Sequence, residues 1–375
     1  MAGSTILRLR GAWFQLHKWI GILLAVLIIP ISLTGSALVW HDWLDETLNP
    51  ERKVDAAPAL PPAAYAASAA RALGAGERIA SITYPEGEGS VLVTAARPPA
   101  PGGGRPVRTQ LWLHPQTGAV LDRSASNEGA VHVMHVLHGS LMVPGVGRQI
   151  VGWIGVAMLV SSLTGLWLWW PLRGRWARGL RWKRQATTSA NLHHQSGFWI
   201  AVPLAMLSFT GVWISFPAFF ASVSGAPAPD SPAERMRRMG AQPLPETQRT
   251  ADHALAAAAG AATGPLLTLA WPTDQAPEWK LGFARSGGTA EVKVADASGA
   301  VTPAKPPKPE TTARTMRRWH DGTGMGVVWQ VVIFIGGIIP ALLAITGIMM
   351  WLKSRVWRGD VARRRRARAE QVPAE

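Results

Sequence analysis

The chain has no cysteine among its 375 residues. That excludes disulfides, thiolate-held clusters, thioredoxin chemistry and covalent haem attachment through a CxxCH motif. Acidic residues are scarce, 23 against 38 lysines and arginines, for a net charge of +15. Charge of either sign is missing from four long stretches: Ile20 to Trp40, Ile150 to Trp170, Gly197 to Phe220 and Gly322 to Leu352 contain no Asp, Glu, Lys or Arg. A membrane-spanning helix needs about 20 apolar residues, so each stretch is long enough to span. No charged residue inside them marks a transport path, which argues against a permease.

What charge there is lies between and beyond these runs. Arg8 and Arg10 precede the first; Arg173, Arg175, Arg178, Arg181, Lys183 and Arg184 follow the second; Lys353, Arg355, Arg358, Arg363, Arg364, Arg365, Arg366 and Arg368 follow the fourth. Short basic segments stay on the cytoplasmic side. The expected partner of this charge is therefore the lipid bilayer and not nucleic acid. Both termini and the 171–192 connection, Arg181 included, are expected inside, with the long segments around Gly103 and Asp230 outside. The first span lacks a small-residue cleavage site and is expected to be a retained anchor. Two exported segments on an Ala- and Pro-rich basic chain point to a multi-pass protein of a bacterial inner membrane with periplasmic domains.

The spans share a pattern of histidine and Thr-Gly. His17 precedes Thr34-Gly35 and His193 precedes Thr210-Gly211, each Thr 17 residues on; His138 precedes Thr164-Gly165 and His320 precedes Thr346-Gly347, each 26 on. The alternation predicts two copies of a two-helix unit. His17 and His193 head outward-running helices and share one depth at the inner face; His138 and His320 head inward-running ones and share the outer face. Twenty-six helical residues would exceed the hydrocarbon thickness, so Pro144-Gly145 and Gly322, Gly324 and Gly326 are expected to kink or delay those spans. Small residues pack helices closely in membranes, which is the expected use of the Thr-Gly pairs.

The long segments repeat a plan as well. Ala63 to Leu73 is a helix, followed by strands at Ile79 to Tyr84, Ser90 to Ala95, Thr109 to His114 and Ala119 to Asp122. A loop at 97–106 (RPPAPGGGRP) lacks the GK[ST] of a phosphate loop. In the second copy, 227–245 looks like flexible linker, Ala251 to Ala262 is a helix, and Leu266 to Trp271, Trp279 to Phe283 and Ala290 to Ala295 are strands. The resulting organisation is a lead at 1–16, a span at 17–43, an α+β domain at 44–130, a span with a His-rich lead at 131–170, a basic loop at 171–192, a span at 193–220, a second α+β domain at 221–315, a span at 316–352 and a basic tail at 353–375. The fold class is an α-helical membrane protein of four transmembrane helices with two periplasmic α+β domains, arranged as a tandem duplication.

LHKWIG, HVLHGSLMVPGVG, SLTGLWLWW, WHDGTGMG and ITGIMMWL, in this order, resemble the PepSY-associated transmembrane family, and the exported segments resemble its PepSY domains. The resemblance implies an inner-membrane oxidoreductase that binds haem b and reduces ferric siderophore iron, Fe(III) to Fe(II), for iron uptake.

Two histidines at one depth on different helices can supply both axial ligands of a haem. His17 with His193, and His138 with His320, are the expected ligand pairs for two haems. Gly21, Gly197 and Gly324, each four residues after its histidine, would leave room for a flat ring; Met142 breaks the rule in span two, where Gly139 or Gly145 can serve. His135 and His41 are alternative outer ligands and His194 an alternative inner one, and His132, His135 and His138 can instead form a metal site. His114 and His253 are ordinary domain residues. The many tryptophans at span ends anchor the interface. No GxGxxG follows a strand, so the electron donor is a quinol or a cytoplasmic reductase. The alternative is a non-catalytic binding or regulatory protein whose PepSY-like domains engage periplasmic partners.

Overall fold

A computed structural model describes residues 2–98, 106–171, 176–182, 185–285, 288–306 and 310–370. Gly103 in the expected loop, and Arg173, Arg175, Lys183 and Arg184 of the basic connection, lie outside the described residues. In chain order the helices and strands are α1 (Ala2–Leu38), α2 (His41–Leu48), α3 (Pro62–Ala72), β1 (Arg78–Thr83), β2 (Val91–Ala96), β3 (Arg108–Leu113), β4 (Val120–Ala125), α4 (Ala130–Ser140), α5 (Gly147–Trp169), α6 (Thr188–Ser215), α7 (Pro217–Ser224), α8 (Pro232–Met239), α9 (Ala251–Ala258), β5 (Leu266–Ala270), β6 (Glu278–Arg285), β7 (Gly288–Ala295), β8 (Val301–Thr302), α10 (Thr312–Asp321) and α11 (Val327–Glu370). They form two compact units, one of Met1–His41, Met134–Ala228 and Glu310–Glu375, the other of Asp42–Val133 and Pro229–Pro309.

The first unit is helical. Thr5–Leu38, Gly147–Trp169, Thr188–Ser215 and Val327–Arg364 are each long and apolar enough to cross a membrane. Leu23, Val26, Trp199, Val202 and Val328 stand exposed along them, as side chains facing lipid must. Between helices the contacts are small residues, because lipid removes the hydrophobic drive to associate and leaves close packing and hydrogen bonds. Gly337 lies against Ser32 and Ser36 of α1, and Ser36 donates to the Phe334 carbonyl at 2.8 Å. Gly152 and Gly155 of α5 admit Phe216 and Val212 in the same way.

Several boundaries differ from expectation. The lead at 1–16 is the first part of α1, and α11 runs on through the basic tail to Glu370. The spans expected at 131–170 and 316–352 are each two helices. α4 ends at Ser140 and α5 starts at Gly147; α10 ends at Asp321 and α11 starts at Val327. The chain turns at Leu141 and Met142, with φ of 51° and 57°, and at Gly145; in the second copy Gly322, Gly324 and Gly326 take φ of 79°, 68° and 79°. These left-handed conformations end a right-handed helix. The stretch 227–245, expected as linker, contains α8, started by a capping box in which Ser231 and Glu234 bond each other's backbone N–H. The Ser-x-x-Glu signature was there to be read.

The second unit is an antiparallel sheet of eight strands in the order β4-β3-β2-β1-β5-β6-β7-β8. The two α+β segments expected as separate domains thus share one sheet. The join is β1 on β5, with Ser81, Ile82 and Thr83 opposite Ala270, Leu269 and Thr268. Within each half a core-covering helix, α3 or α9, is followed by four strands. Tyr65 and Ala69 of α3 cover Ile82, Val91, Val93, Leu111 and Leu113. Ala251, Ala254 and Ala258 of α9 cover Leu269, Trp279, Leu281, Val292 and Val294. Trp271 packs against both clusters, so the core is continuous across the join. Burying one such Val or Leu contributes about 1.5–3 kcal/mol, which explains why neither half stays apart. The Ala63 N–H at the start of α3 donates to Asp252 of α9 at 2.9 Å, a further tie between the halves.

One carboxylate in this unit is held firmly. Burial alone would raise Glu77, but the Thr109 hydroxyl, the Gly74 N–H and the guanidinium groups of Arg123 and Arg97 outweigh it and hold its carboxyl below the usual range.

Candidate functional site

Four histidines of the helical unit come together in two pairs. His17 of α1 and His193 of α6 have ring centroids 6.3 Å apart, with planes at 87°. His138 of α4 and His320 of α10 have centroids 6.0 Å apart, with planes at 44°.

Each ring is fixed through Nδ1 by a Thr-Gly segment on another helix. His17 Nδ1 donates to the Ser161 carbonyl at 3.0 Å and to the Thr164 hydroxyl at 3.2 Å. His320 Nδ1 donates to the Leu207 carbonyl at 3.1 Å and to the Thr210 hydroxyl at 3.0 Å. His193 Nδ1 donates to the Thr346 hydroxyl at 3.0 Å. His138 Nδ1 donates to the Ile31 carbonyl at 2.9 Å. Ser161, Leu207 and Ile31 each lie three residues before the threonine of their segment, so the three carbonyl contacts share one place in the segment.

The threonines settle the tautomer. Thr164, Thr210 and Thr346 each donate their hydroxyl proton to the carbonyl four residues earlier in their own helix, at 2.8, 2.9 and 2.8 Å. The hydroxyl oxygen then has only lone pairs to offer, and the backbone carbonyl beside it can only accept. Nδ1 must therefore carry the proton, which leaves the lone pair of the neutral ring on Nε2, the metal-binding form. The glycine after each threonine makes room. A Cβ at Gly35 would stand 2.6 Å from His138 Cε1; at Gly165, 3.1 Å from His17 Cε1; at Gly211, 3.1 Å from His320 Cε1; at Gly347, 3.6 Å from His193 Cε1. The Thr-Gly pairs, expected as simple helix packing, are histidine seats. Their fourfold recurrence was the available signal; which histidine each would receive was not in it.

The glycines expected to clear space behave unequally. A Cβ at Gly21 would meet nothing within 4 Å, and one at Gly197 only Leu343 at 3.7 Å. Gly324 is not helical but lies in the turn before α11 with φ of 68°, so its use is conformational. Gly139 is open and Gly145 is a turn residue with φ of 74°.

The alternative ligands lie elsewhere. His194 points away from its neighbour and stacks on Trp169 at 5.9 Å and 25°, next to Phe198. His41 and His135 lie edge to face, with centroids 6.1 Å apart and planes at 78°. Among the described residues no three His, Asp or Glu side chains are grouped so as to hold a metal ion. His114 accepts the Gln116 and Thr117 N–H groups of its own turn.

The PepSY-associated TM region matches residues 14–354, nearly the whole chain. The chain belongs to this family. No curated protein matches it. In this PepSY-associated chain the matched region includes all four paired histidines and all four Thr-Gly seats.

An imidazole–metal bond is about 2.0 Å and the ring centre lies roughly 1 Å behind its nitrogen, so two rings in line on one metal have centroids about 6 Å apart. Both pairs match. A bare ion wants about four donors, whereas each half-buried pair offers two. A porphyrin supplies the other four, so two half-buried imidazoles among apolar helices fit haem iron better than a free metal.

Proposed function

We propose that the protein is an inner-membrane electron-transfer oxidoreductase that holds two haems b and reduces the Fe(III) of periplasmic ferric siderophores to Fe(II) for iron uptake. The observation that carries this reading is the pair of closely spaced, Nδ1-seated imidazoles repeated at two places in one helical unit. His17 and His193 would hold one haem, and His138 and His320 the other. Bound haem supplies a one-electron Fe(III)/Fe(II) couple.

The chain's own residues do the rest. The threonines and carbonyls keep each Nε2 basic and aimed, and the apolar spans keep water from the rings. α1 carries His17 and, 17 residues on, the Thr34-Gly35 segment that seats His138. At 1.5 Å per residue that separation is about 25 Å along the helix, most of a hydrocarbon core of about 30 Å. Two sites so spaced fit passage of electrons from one face to the other. The positive-inside rule, applied to the basic connection and tail, favours His17 and His193 on the cytoplasmic side, where a quinol or a cytoplasmic reductase would donate. At the other face one electron converts chelated Fe(III) to Fe(II), which the hard oxygen donors of a siderophore hold more weakly. In each half the Thr-Gly segments seat that half's own histidines, while each ligand pair forms across the halves; a duplicated two-helix unit accounts for both.

The test is a reduced-minus-oxidised absorption spectrum of the purified protein, then addition of a ferric siderophore to the reduced protein with an Fe(II) chelator present. A b-type spectrum, reoxidation and trapped Fe(II) are expected. A protein with no haem spectrum would sink the reading. One that binds haem but stays reduced with every ferric chelate would leave a carrier or a binding protein acting through its sheet unit.

A further inference from the structure

The helical unit holds a third close pair of imidazoles, His41 and His135, besides the two pairs described above. His41 opens α2, just beyond the end of α1, and its Nδ1 bonds the Leu38 carbonyl at 3.0 Å. His135 is on α4, three residues before His138 and so on a neighbouring part of the same helical face. Their centroids are 6.1 Å apart, the same spacing as the two pairs described above. The difference is exposure. His41 and His135 are both exposed, whereas His17, His138, His193 and His320 are half-buried against helix backbone.

Exposure changes what two imidazoles can hold. A half-buried pair among apolar side chains cannot complete the shell of a bare ion, because the missing donors would have to be water. An exposed pair can, since solvent fills the remaining positions. Imidazole is a borderline donor that suits divalent iron, copper, nickel and zinc over calcium and magnesium, which prefer oxygen. The Leu38 carbonyl can only accept, so His41 Nδ1 carries the proton in that bond and the lone pair lies on Nε2.

We propose that His41 and His135 form a solvent-open site for one hydrated divalent first-row transition-metal ion, one helical turn from the His138–His320 pair. If the reductase reading holds, the resident ion is the Fe(II) it releases, taken up by the two imidazoles as the chelate's oxygens let go. The site stands on the geometry of the pair; only the identity of its ion rests on that reading.

The experiment is Zn(II) titration of the purified, haem-loaded full-length protein by calorimetry, with Zn(II) chosen because it is redox-inert. Wild type is expected to bind one equivalent. His41→Ala and His135→Ala should each weaken it by at least about tenfold, and the double variant no further than either single change, since the two rings act on one ion. His114→Ala, on the sheet unit, should change nothing. The haem spectrum should be the same in all of them. Binding kept within about twofold in the double variant would overturn the site. So would loss of the haem signal in either single variant, because the pair would then be haem ligands. Zn(II) binding that depends on both histidines in a protein that reduces no ferric chelate would keep the site and remove only Fe(II) as its ion.

Discussion

The two histidine pairs are made of the same parts but reached in different ways. His17 and His193 lie within α1 and α6, long helices whose own spines bring the rings to depth. His138 and His320 lie on α4 and α10, short helices cut from α5 and α11 by left-handed turns. The seats differ too. The Gly35 seat is the tightest, with only 2.6 Å for a Cβ, and it lacks the threonine bond; the Gly347 seat is the loosest, at 3.6 Å. The difference teaches that a ring can be placed by a span or by a detached helix, provided a carbonyl and a glycine receive it.

The largest expected effect comes from removing a ligand. His193→Ala should abolish the His17–His193 haem signal and spare the other, and His320→Ala should do the reverse, each leaving about half the haem per protein. Pyridine haemochrome and redox-titrated spectra would show it. Equal loss of both signals in either variant would mean the pairs are not independent sites, and unchanged pigment in both would make the histidines structural.

Next in size is the glycine series, which ranks the seats. Overpacking a close contact costs about 1–3 kcal/mol. Gly35→Ala should therefore weaken haem retention at the His138–His320 pair by roughly 10- to 100-fold. Gly165→Ala and Gly211→Ala should fall between, and Gly347→Ala should be nearly silent. Haem loss to an acceptor apoprotein would measure the order, with circular dichroism checking that the helices remain. An inverted order would break the seat geometry.

The smallest effect sharpens the comparison most. Replacing Thr164, Thr210 or Thr346 by Val removes an acceptor for Nδ1, and such outer partners are worth about 10- to 100-fold in metal affinity when lost. The carbonyl bond remains, so the lower end is expected, with a shift in the potential of the matching haem. Thr34→Val should do little, since His138 bonds the Ile31 carbonyl and no threonine bond to it is seen. Redox titration separates the haems. A Thr34→Val shift as large as the others would show that the pairs are equivalent after all.

Much of this was legible in the chain. Uncharged runs of about 20 residues specify spanning helices whatever they pack against, and strand alternation from Ile79 onward specifies strands. The spacings of 17 and 26 also set which histidines share a depth. The breaks at 141–146 and 322–326 were legible as Pro and Gly, but as kinks; whether a chain bends or ends a helix depends on φ at Leu141 and Met142, which no propensity of those two residues favours.

By itself, then, the sequence determined the number of spans, the first seven strands and which four histidines matter, because apolar length and periodicity are local properties; it did not determine their place on the helices, since His138 and His320 close α4 and α10 and His17 lies inside α1. The tertiary structure alone decided that β1 pairs with β5, so that two expected domains share one sheet and one core. It alone decided that Thr164 receives His17, Thr346 receives His193, Thr210 receives His320 and the Thr34-Gly35 segment receives His138. Those contacts join residues more than a hundred apart, and a seat fits a ring only when two helices approach to hydrogen-bonding distance, a quantity set by packing and not by spacing.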